Sequence, residues 1–371
     1  MTCDVIITYC WNRVGYNILK SLNALGLKVV VADVSKNNIC SMSKYAFSYF
    51  TYPDPFTKED EFIETLLSKI DQLKPKILLP THDESLIIAK YIHKFPDWLN
   101  IPIEKFDKLQ SLSNKISANK LAQSSGIPVP PIYSSIGEIP SYPIVFKTAF
   151  GNSAKGVFFP STEVELQILQ SKYQNTDTFI QEKITGIDHS VDCIRYGNFF
   201  YASVYRAIIT KTDGGGTTTQ RQIIDFPLLI NLSKQFLDYI DYNGVCGIDF
   251  KVDSKGNAYF IECNARYTGG LATPIRAGFD IPKIHYILST TSAYKTPITL
   301  QIGTKTKWIL GDIITLITRL SKFNLSSSEL KQLVNFNFDG FDDYNPNDRK
   351  AFIGELMYYF YKLIKNRKLN P

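Results

Sequence analysis

Short apolar runs alternate with helical patterns over the first hundred residues of the chain. Residues 5–7, 29–32 and 77–79 are apolar runs of strand length, and residues 62–73 carry apolar side chains at helical spacing. Continuous apolar strands separated by amphipathic helices are typical of a parallel sheet that is covered on both faces. The pattern therefore predicts an α/β domain at the start of the chain.

The turn after the first predicted strand is where an α/β domain of this kind often binds a dinucleotide cofactor. Dinucleotide-binding folds place G-x-G-x-x-G at this turn, so that the backbone can approach a pyrophosphate closely. Residues 10–15 contain a single glycine, Gly15. Binding of a nicotinamide or flavin cofactor at this turn is therefore disfavoured.

A stiff segment at residues 126–131, Gly-Ile-Pro-Val-Pro-Pro, ends a helical pattern and begins a strand-rich region. The alternation that follows predicts an α+β region with helices at 161–171 and 229–242 and strands at 144–147, 157–159, 179–181, 190–195, 199–206, 245–252 and 259–264. After about residue 296 the pattern is largely helical. The capping-box spacing from Ser326 to Glu329 opens one helix there, and an apolar stripe over 353–364 marks the closing one.

Composition and charge exclude several classes of protein. The 371-residue chain has a net charge of +6, and the last 71 residues, with 11 basic and 7 acidic side chains, contribute +4 of it. The rest is close to neutral, which disfavours nucleic-acid binding, because such proteins usually present a domain-wide basic face. The six cysteines show no C-x-x-C spacing, which indicates reduced, buried thiols.

The lengths of the apolar runs indicate where in the cell the protein is expected. No run reaches the ~18 residues of a membrane-spanning helix, and the first residues lack the basic and apolar regions of a signal peptide. We expect a soluble, cytoplasmic protein. Basic residues at the end of a helix usually complement its dipole, so peripheral membrane contact through Lys362, Lys365, Arg367 and Lys368 is not expected.

The most informative segment is a predicted hairpin formed by residues 247–253 and 258–264. If Asp253 pairs with Ala258 across Ser-Lys-Gly-Asn, Asp249 lies directly opposite Glu262. Asn264 then points to the same side as these two carboxylates, because side chains alternate along a strand. The opposite, apolar side would hold Ile248, Phe250, Val252, Tyr259, Ile261 and Cys263.

Like charges on directly opposed strand residues repel each other, so something must offset the repulsion. A divalent cation does so, and carboxylate and amide oxygens are the ligands that Mg²⁺ prefers. The alternative is a solvated hairpin whose carboxylates splay into water. The hairpin alone leaves both interpretations open.

Three further segments favour a nucleotide site. An apolar strand ends in Lys147 and is followed by a loop, Gly151–Gly156, which contains Ser153 and can expose backbone N–H groups to phosphates. It is not a Walker A loop, and taken alone an ordinary turn is the alternative. A second strand runs into residues 182–188, a segment that could frame a purine. Lys115 stands ahead of the stiff segment.

In this order the pieces resemble the ATP-grasp superfamily, and most closely its carbamoyl-phosphate-synthase-related and carboxylate–amine ligase branches. The resemblance covers about residues 1–290 and implies a mixed α/β and α+β fold. It implies a Rossmann-like pre-ATP-grasp domain at 1–112 and an ATP-grasp domain at 113–295, with a lid lobe at about 130–186 and a metal-binding lobe at about 187–295. Residues 296–371 would form a small, largely helical C-terminal extension.

The resemblance also implies roles for individual residues. Lys115 and Lys147 would contact the phosphates, and the loop with Gly151, Ser153 and Gly156 would close over them. Glu182, with the backbone of Lys183 and Ile184, would contact adenine, and Asp188 would take the ribose-binding position, where the family more often has glutamate. Arg266 would stabilise the transferred phosphoryl group, with two Mg²⁺ ions (or Mn²⁺) held by Asp249, Glu262 and Asn264.

Basic residues around a glycine-rich segment at 213–219 suggest where the second substrate binds. Arg206, Lys211 and Arg221 flank this segment, which we expect to be a mobile loop, and they would bind the substrate carboxylate or acyl phosphate; solvated surface charge is the alternative. Residues 81–84 follow a parallel strand and would either touch the second substrate or cap a helix through Thr81 or Asp83.

The function that the resemblance implies is an ATP-dependent ligase that activates a carboxylate as an acyl phosphate for attack by an amine. Two alternatives stay open: carboxyphosphate or carbamoyl-phosphate chemistry on bicarbonate, and a non-catalytic nucleotide-binding scaffold. The partners expected are small-molecule acids and amines, with no nucleic acid. The sequence does not identify either substrate, and it leaves the oligomeric state open, with a homodimer among the options.

Overall fold

The computed structural model describes residues 2–151, 156–212, 215–291 and 293–366. It begins with a parallel sheet in the order β3-β2-β1-β4, formed by β1 (Val5–Ile7), β2 (Val29–Asp33), β3 (Ser48–Thr51) and β4 (Ile77–Leu79). Helices α1 (Arg13–Ala24), α2 (Glu59–Leu73) and α3 (Glu84–Lys90) connect or follow these strands. The three strands predicted from apolar runs are confirmed. Strand β3 was not predicted, because three of its four residues are exposed.

Two short helices lead from this sheet to the next. They are α4 (Phe106–Ser113) and α5 (Lys115–Ser124). The Asn114 side chain caps α5 by accepting hydrogen bonds from the backbone N–H groups of Ile116 and Ser117. Lys115 is therefore fixed as the first residue of a capped helix.

The second sheet is antiparallel, in the order β5-β8-β6-β7. It contains β5 (Ile132–Tyr133), β6 (Ile144–Thr148), β7 (Val157–Phe158) and β8 (Thr178–Glu182), with helix α6 (Glu163–Lys172) beside it. Leu166 of α6 packs on Ile144, Phe146 and Ile180 in one buried cluster. Because Lys147 follows Phe146, its side chain leaves the sheet on the other face.

The third and largest sheet has the order β13-β12-β9-β10-β11-β14-β15. Its strands are β9 (Gly186–Tyr196), β10 (Phe199–Thr212), β11 (Gly215–Ile224), β12 (Gly244–Asp253), β13 (Ala258–Asn264), β14 (Lys305–Lys307) and β15 (Gly340–Phe341). Helix α7 (Pro227–Tyr239) covers one face through Leu229, Phe236 and Leu237. Two further helices, α8 (Ala272–Arg276) and α9 (Ile281–Thr291), follow β13.

The predicted mobile loop at 213–219 is largely a strand. Residues 215–219 belong to β11, which pairs with β10 as a long hairpin. Thr219 is buried at the inner end of this segment, and the residues before it are paired with β10. Asp213 and Gly214 lie outside the described residues.

The C-terminal region contains helices α10 (Ile309–Ser321), α11 (Ser327–Leu333) and α12 (Arg349–Asn366). The capping box at Ser326 and Glu329 is confirmed. The region also adds β14 and β15 to the large sheet, so it is an integral part of that sheet rather than only a helical appendage. Among the described residues, no helix is both long and apolar enough to cross a membrane.

Candidate functional site: a carboxylate pair facing three lysines

The β12–β13 hairpin brings Asp249 directly opposite Glu262, as the sequence predicts. The pairing nearer the turn differs, because Val252 rather than Asp253 pairs with Ala258, and a β-bulge between Asp249 and Phe250 absorbs the difference. The bulge adds one residue to β13 and restores the predicted register at the carboxylates.

The bulge also corrects the predicted apolar side of β13. Ala258 and Phe260 are buried beside Phe250, whereas Tyr259 and Ile261, which we expected there, are only partly buried. Two residues, Ile261 and Glu262, separate Phe260 from the next buried side chain, Cys263. This break in the alternation turns Glu262 towards the face that carries Asp249.

The carboxylates form part of a row of side chains across the large sheet. Register aligns Tyr205, Ser190, Asp249 and Glu262 on neighbouring strands, so they share one face. The Ser190 hydroxyl donates a hydrogen bond to Asp249 Oδ1, and Asn264 Nδ2 lies 3.3 Å from Asp249 Oδ2 and 3.5 Å from Glu262 Oε1. Burial, followed by the charge of Glu262, raises the pKa of Asp249 well above its usual range.

This donor set fits a hard divalent cation. Asp249 and Glu262 supply carboxylate oxygens, and a rotation of the Asn264 amide would supply a carbonyl oxygen. Within the described part of the chain, no group of three or more Cys, His, Asp and Glu side chains is placed to hold a metal ion. An open site with few protein ligands is the kind that Mg²⁺ occupies when phosphates and water complete its coordination.

Two of the predicted phosphate-binding lysines lie at this site. Lys115 Nζ is 3.8 Å from Glu262 Oε2, and it also donates to the Gly151 carbonyl oxygen at the start of the predicted phosphate loop. Lys147 is buried, and burial lowers its pKa to about 8, although the charge of Glu262 acts in the opposite direction. The positive charges of Lys115 and Lys147 therefore act on the negative charge of Glu262.

The phosphate loop is closed at its base by backbone contacts. Thr148 N donates to the Gly156 carbonyl at 2.9 Å, and the Thr148 hydroxyl donates to the Phe150 carbonyl at 2.7 Å. Gly156 has φ +80°, and a Cβ there would stand 2.1 Å from Thr148 Oγ1, so only glycine fits. Ser153 and its neighbours at 152–155 lie outside the described residues.

The predicted adenine-contacting residues lie where the second sheet passes into the third. Glu182 ends β8 and is exposed, while Lys183 and Ile184 belong to the three-residue connection to β9. The Lys183 ammonium group lies 5.5 Å from the ring centre of Phe159. This arrangement leaves the Glu182 carboxylate and the connecting backbone accessible to a ligand between the two sheets.

Asp188 has a partner that the sequence analysis missed. Its carboxylate lies 2.5 Å from Lys251 Nζ, and the register pairs these residues across β9 and β12. Lys251 is two residues beyond Asp249 on the same face, and its charge also lowers the pKa of Lys147. The spacing from Asp249 is the signal that could have identified this third lysine.

Arg266 is held by the first domain rather than standing alone. Its Nε donates to Asp83 Oδ1 at 2.6 Å, and its Nη1 donates to the Tyr267 carbonyl at 3.1 Å. Asp83 lies at the start of α3, but its side chain makes no capping hydrogen bond there. The predicted helix-capping interpretation of Asp83 is therefore wrong, because its carboxylate is directed to a residue 183 positions away.

Arg206 lies on the other face of the sheet from the carboxylates. It pairs with His189, one position along from the Tyr205–Ser190 pair that belongs to the Asp249 row, and successive side chains point to opposite faces. The exposed guanidinium donates to Gln222 Oε1 at 2.8 and 3.2 Å. This placement does not support the predicted substrate contact by Arg206.

Arg221 and Lys211, which we grouped with Arg206, have other surroundings. Arg221 is fully buried and forms an ion pair with Asp342 at 2.6 Å. Lys211 Nζ lies 5.5 Å from the ring centre of Trp308. Arg221 is thus a structural residue, since its guanidinium is enclosed by the C-terminal region.

The Arg266–Asp83 pair leads to a first prediction. Asp83→Asn keeps an oxygen acceptor but removes the charge that orients Arg266. For the ATP-dependent reaction that the resemblance implies, we expect kcat to fall about tenfold with little change in the KM for ATP. Steady-state kinetics of ADP release measure both constants. Asp71→Asn, at an exposed helix position in the same domain, is the control and should change neither. An equal rise in the KM for ATP would show that Asp83 only supports the fold.

The comparisons with known proteins found one family model that matches part of the chain. Residues 174–310 match the model of a family described as "ATP-grasp in the biosynthetic pathway with Ter operon". These residues include β9, β12 and β13, which carry the carboxylate row. No curated protein matches the sequence significantly.

Several solved structures share the fold at low sequence identity. The biotin carboxylase domain of 2-oxoglutarate carboxylase from Hydrogenobacter thermophilus has a TM-score of 0.66, with 15% identity over 82% of this chain and 74% of its own. N5-carboxyaminoimidazole synthetase from Staphylococcus aureus also gives 0.66, with 20% identity over 87% and 86%. L-amino acid ligase from Bacillus licheniformis gives 0.63, with 16% identity over 78% and 75%.

Proposed function

We propose that the chain is a member of the ATP-grasp superfamily, as the family match and the shared fold support, and that it is an ATP-dependent ligase that joins a carboxylate to an amine through an acyl phosphate. The observation that carries the proposal is the placement of Asp249, Glu262 and Asn264 on one sheet face beside Lys115. A carboxylate pair in that position suits a divalent cation, and a lysine that bridges it to a glycine-rich loop suits a triphosphate.

The first chemical step is phosphoryl transfer. A carboxylate oxygen of the acid attacks the γ-phosphorus of ATP, the bond to the bridging oxygen of ADP breaks, and an acyl phosphate forms. Lys115 and Lys147 hold the phosphates, and Arg266 stabilises the charge that develops on the transferred group. Mg²⁺ held by Asp249, Glu262 and Asn264 would supply charge neutralisation for the phosphate oxygens.

The second step forms the carbon–nitrogen bond. The amine nitrogen attacks the acyl carbon, phosphate leaves with its electron pair, and the nitrogen loses a proton. The protein mainly positions the reactants, since the phosphate is already a good leaving group. We propose that Glu182, with the backbone of Lys183 and Ile184, binds adenine and that the Asp188–Lys251 pair lies next to the ribose.

A screen of ADP release tests the proposal. Acids and amines, including amino acids, amino sugars and bicarbonate, are supplied singly and in pairs with ATP and Mg²⁺. We expect ADP release that requires an acid, and hydroxylamine should trap the activated acid as a hydroxamate. Turnover with bicarbonate alone would favour carboxyphosphate chemistry; bicarbonate is present with MgADP in the structure of the biotin carboxylase domain cited above. Tight ATP binding without turnover across the screen would favour a scaffold.

The buried Lys147 gives a pH prediction. Its pKa of about 8 means that the free enzyme loses this positive charge as the pH rises above 8. Because the charged form binds phosphate, the KM for ATP should rise above pH 8, by at most about tenfold per pH unit. Lys147→Arg keeps its charge at these pH values, so it should bind ATP with little pH dependence. The same rise in both proteins would exclude Lys147 as its cause.

A further inference from the structure

We propose that helix α12, with its neighbour α10, is a docking surface for an anionic lipid bilayer. The first observation is a stripe of exposed apolar side chains along α12. Its members are between 39% and 65% exposed and recur at helical spacing: Ile353, Leu356, Met357, Phe360 and Ile364. Surface helices normally turn such a stripe to the core.

The core-facing side of α12 is occupied by different residues. Ala351, Tyr358 and Tyr359 are buried, and the two tyrosines pack with Leu310 and Ile314 of α10. The exposed stripe is therefore a second apolar face of a helix that already has a packed one. Helix α10 exposes a stripe of its own, which consists of Ile313, Ile317 and Leu320, and Phe323 directly after the helix is 99% exposed.

The second observation is the charge that the C-terminal region presents at its surface. Residues 301–371 contain seven acidic side chains, and five of them are buried: Asp312, Asp342, Asp343, Asp348 and Glu355. Of the eight basic side chains in residues 301–364, only Lys307 and Arg319 are buried. The surface of this region therefore carries six basic and two acidic groups, which is more basic than its sequence suggests.

Basic groups lie on the same side of α12 as the apolar stripe. Arg349 and Lys350 are exposed and precede Ile353 by four and three residues, so they are its neighbours on the helix surface. An apolar stripe with adjacent basic residues is the pattern of helices that lie in the bilayer interface and favour anionic lipids. Here folding, and not sequence alone, creates that pattern, because it removes the acidic groups from the surface.

The same observations disfavour a second copy of this chain as the occupant. Two copies that met through α12 would bring two basic surfaces together, and like charges repel. Helices α10 and α12 share one buried cluster and each exposes an apolar stripe of its own. Acidic headgroups complement the charge, and the acyl chains would receive the apolar side chains.

Vesicle co-sedimentation of the full chain tests the proposal. We expect binding to vesicles of phosphatidylcholine with phosphatidylglycerol, weakening as salt is added, and little binding to phosphatidylcholine alone. Phe360→Ser with Ile364→Ser should lower binding about tenfold. Arg349→Glu with Lys350→Glu should lower binding by more than about tenfold, because two attractive charges are replaced by two that the anionic headgroups repel.

Matched variants separate a docking surface from general stickiness. Val164→Ser with Ile168→Ser removes two exposed apolar residues from α6, and Lys172→Glu with Lys255→Glu makes the same charge change elsewhere. Both should bind vesicles like the unchanged protein, and circular dichroism confirms that all four are folded. Equal binding to neutral vesicles, equal loss in the controls, or a dimer in light scattering that the Phe360/Ile364 variant abolishes would overturn the proposal. The ADP-release activity in solution should be the same in all four variants, so this result is independent of the proposed reaction.

Discussion

Asp249→Asn should sharply lower ATP turnover and at the same time stabilise the metal-free protein. In the absence of a cation, Asp249 faces Glu262 across the strand pair, and its pKa is raised by burial and by that charge. The amide removes the repulsion and retains an oxygen that can accept from Ser190. We expect a gain of about 1 kcal/mol, seen as a melting temperature about 2 °C higher in EDTA.

The catalytic loss should be far larger than this gain. Without the Asp249 carboxylate the site has one anionic ligand left for the cation, and we expect ADP release to fall about 10³-fold. Mg²⁺ with ATP should raise the melting temperature of the unchanged protein but not that of the variant, because binding stabilises only the state that binds. A trade of stability for activity is common where like charges are held together for function.

Asp253→Asn is the matched control in the same hairpin. Asp253 lies at the exposed turn, where its carboxylate accepts hydrogen bonds from the backbone of Lys255 and Asn257. The change should leave turnover intact and should not stabilise the protein. If Asp249→Asn instead lowered the melting temperature in EDTA, the carboxylate pair would be a structural contact and not a preformed cation site.

The alternation of apolar and polar residues was enough to predict the site's central feature, and its failures have physical causes. Asp249 and Glu262 could be predicted as opposed residues because a short turn sets the register of a hairpin. The bulge in β13 could not, because Tyr259 and Ile261 are as apolar as the neighbours that are buried instead. The packing of Phe260 against Phe236 and Phe250 decides that Ala258 and Phe260, and not Tyr259 and Ile261, face the core.

Contacts between residues far apart in the sequence could not be predicted, for a different reason. Arg206 and Arg221 both looked like loop-flanking charges, but whether each points to solvent or into the protein depends on strand register and on distant partners. Asp83 is 183 residues from Arg266, and nothing in local spacing relates them. Lys251 is the exception, because its position two residues after Asp249 places it on the same face.

Asp342→Asn should be among the most destabilising single changes in the chain. Asp342 is fully buried and lies 2.6 Å from Arg221 Nη2 and 3.3 Å from Arg13 Nε. Arg13 begins α1 of the first domain and Arg221 belongs to the large sheet, so one carboxylate of the C-terminal region joins three parts of the chain. Its removal leaves a fully buried guanidinium without its anion, which costs about 3–5 kcal/mol.

Denaturation by urea, followed by circular dichroism, measures this effect. Glu59→Gln breaks an exposed ion pair of equal length, 2.6 Å to Lys90, and should change the free energy of unfolding by less than about 1 kcal/mol. Asp342 directly follows β15, and β14 covers the edge of β11. We therefore expect Asp342→Asn to expose the β11 edge to proteolysis at a lower urea concentration than in the unchanged protein. A loss no greater than that of Glu59→Gln would mean that water reaches Arg221 and that the C-terminal region is only loosely attached.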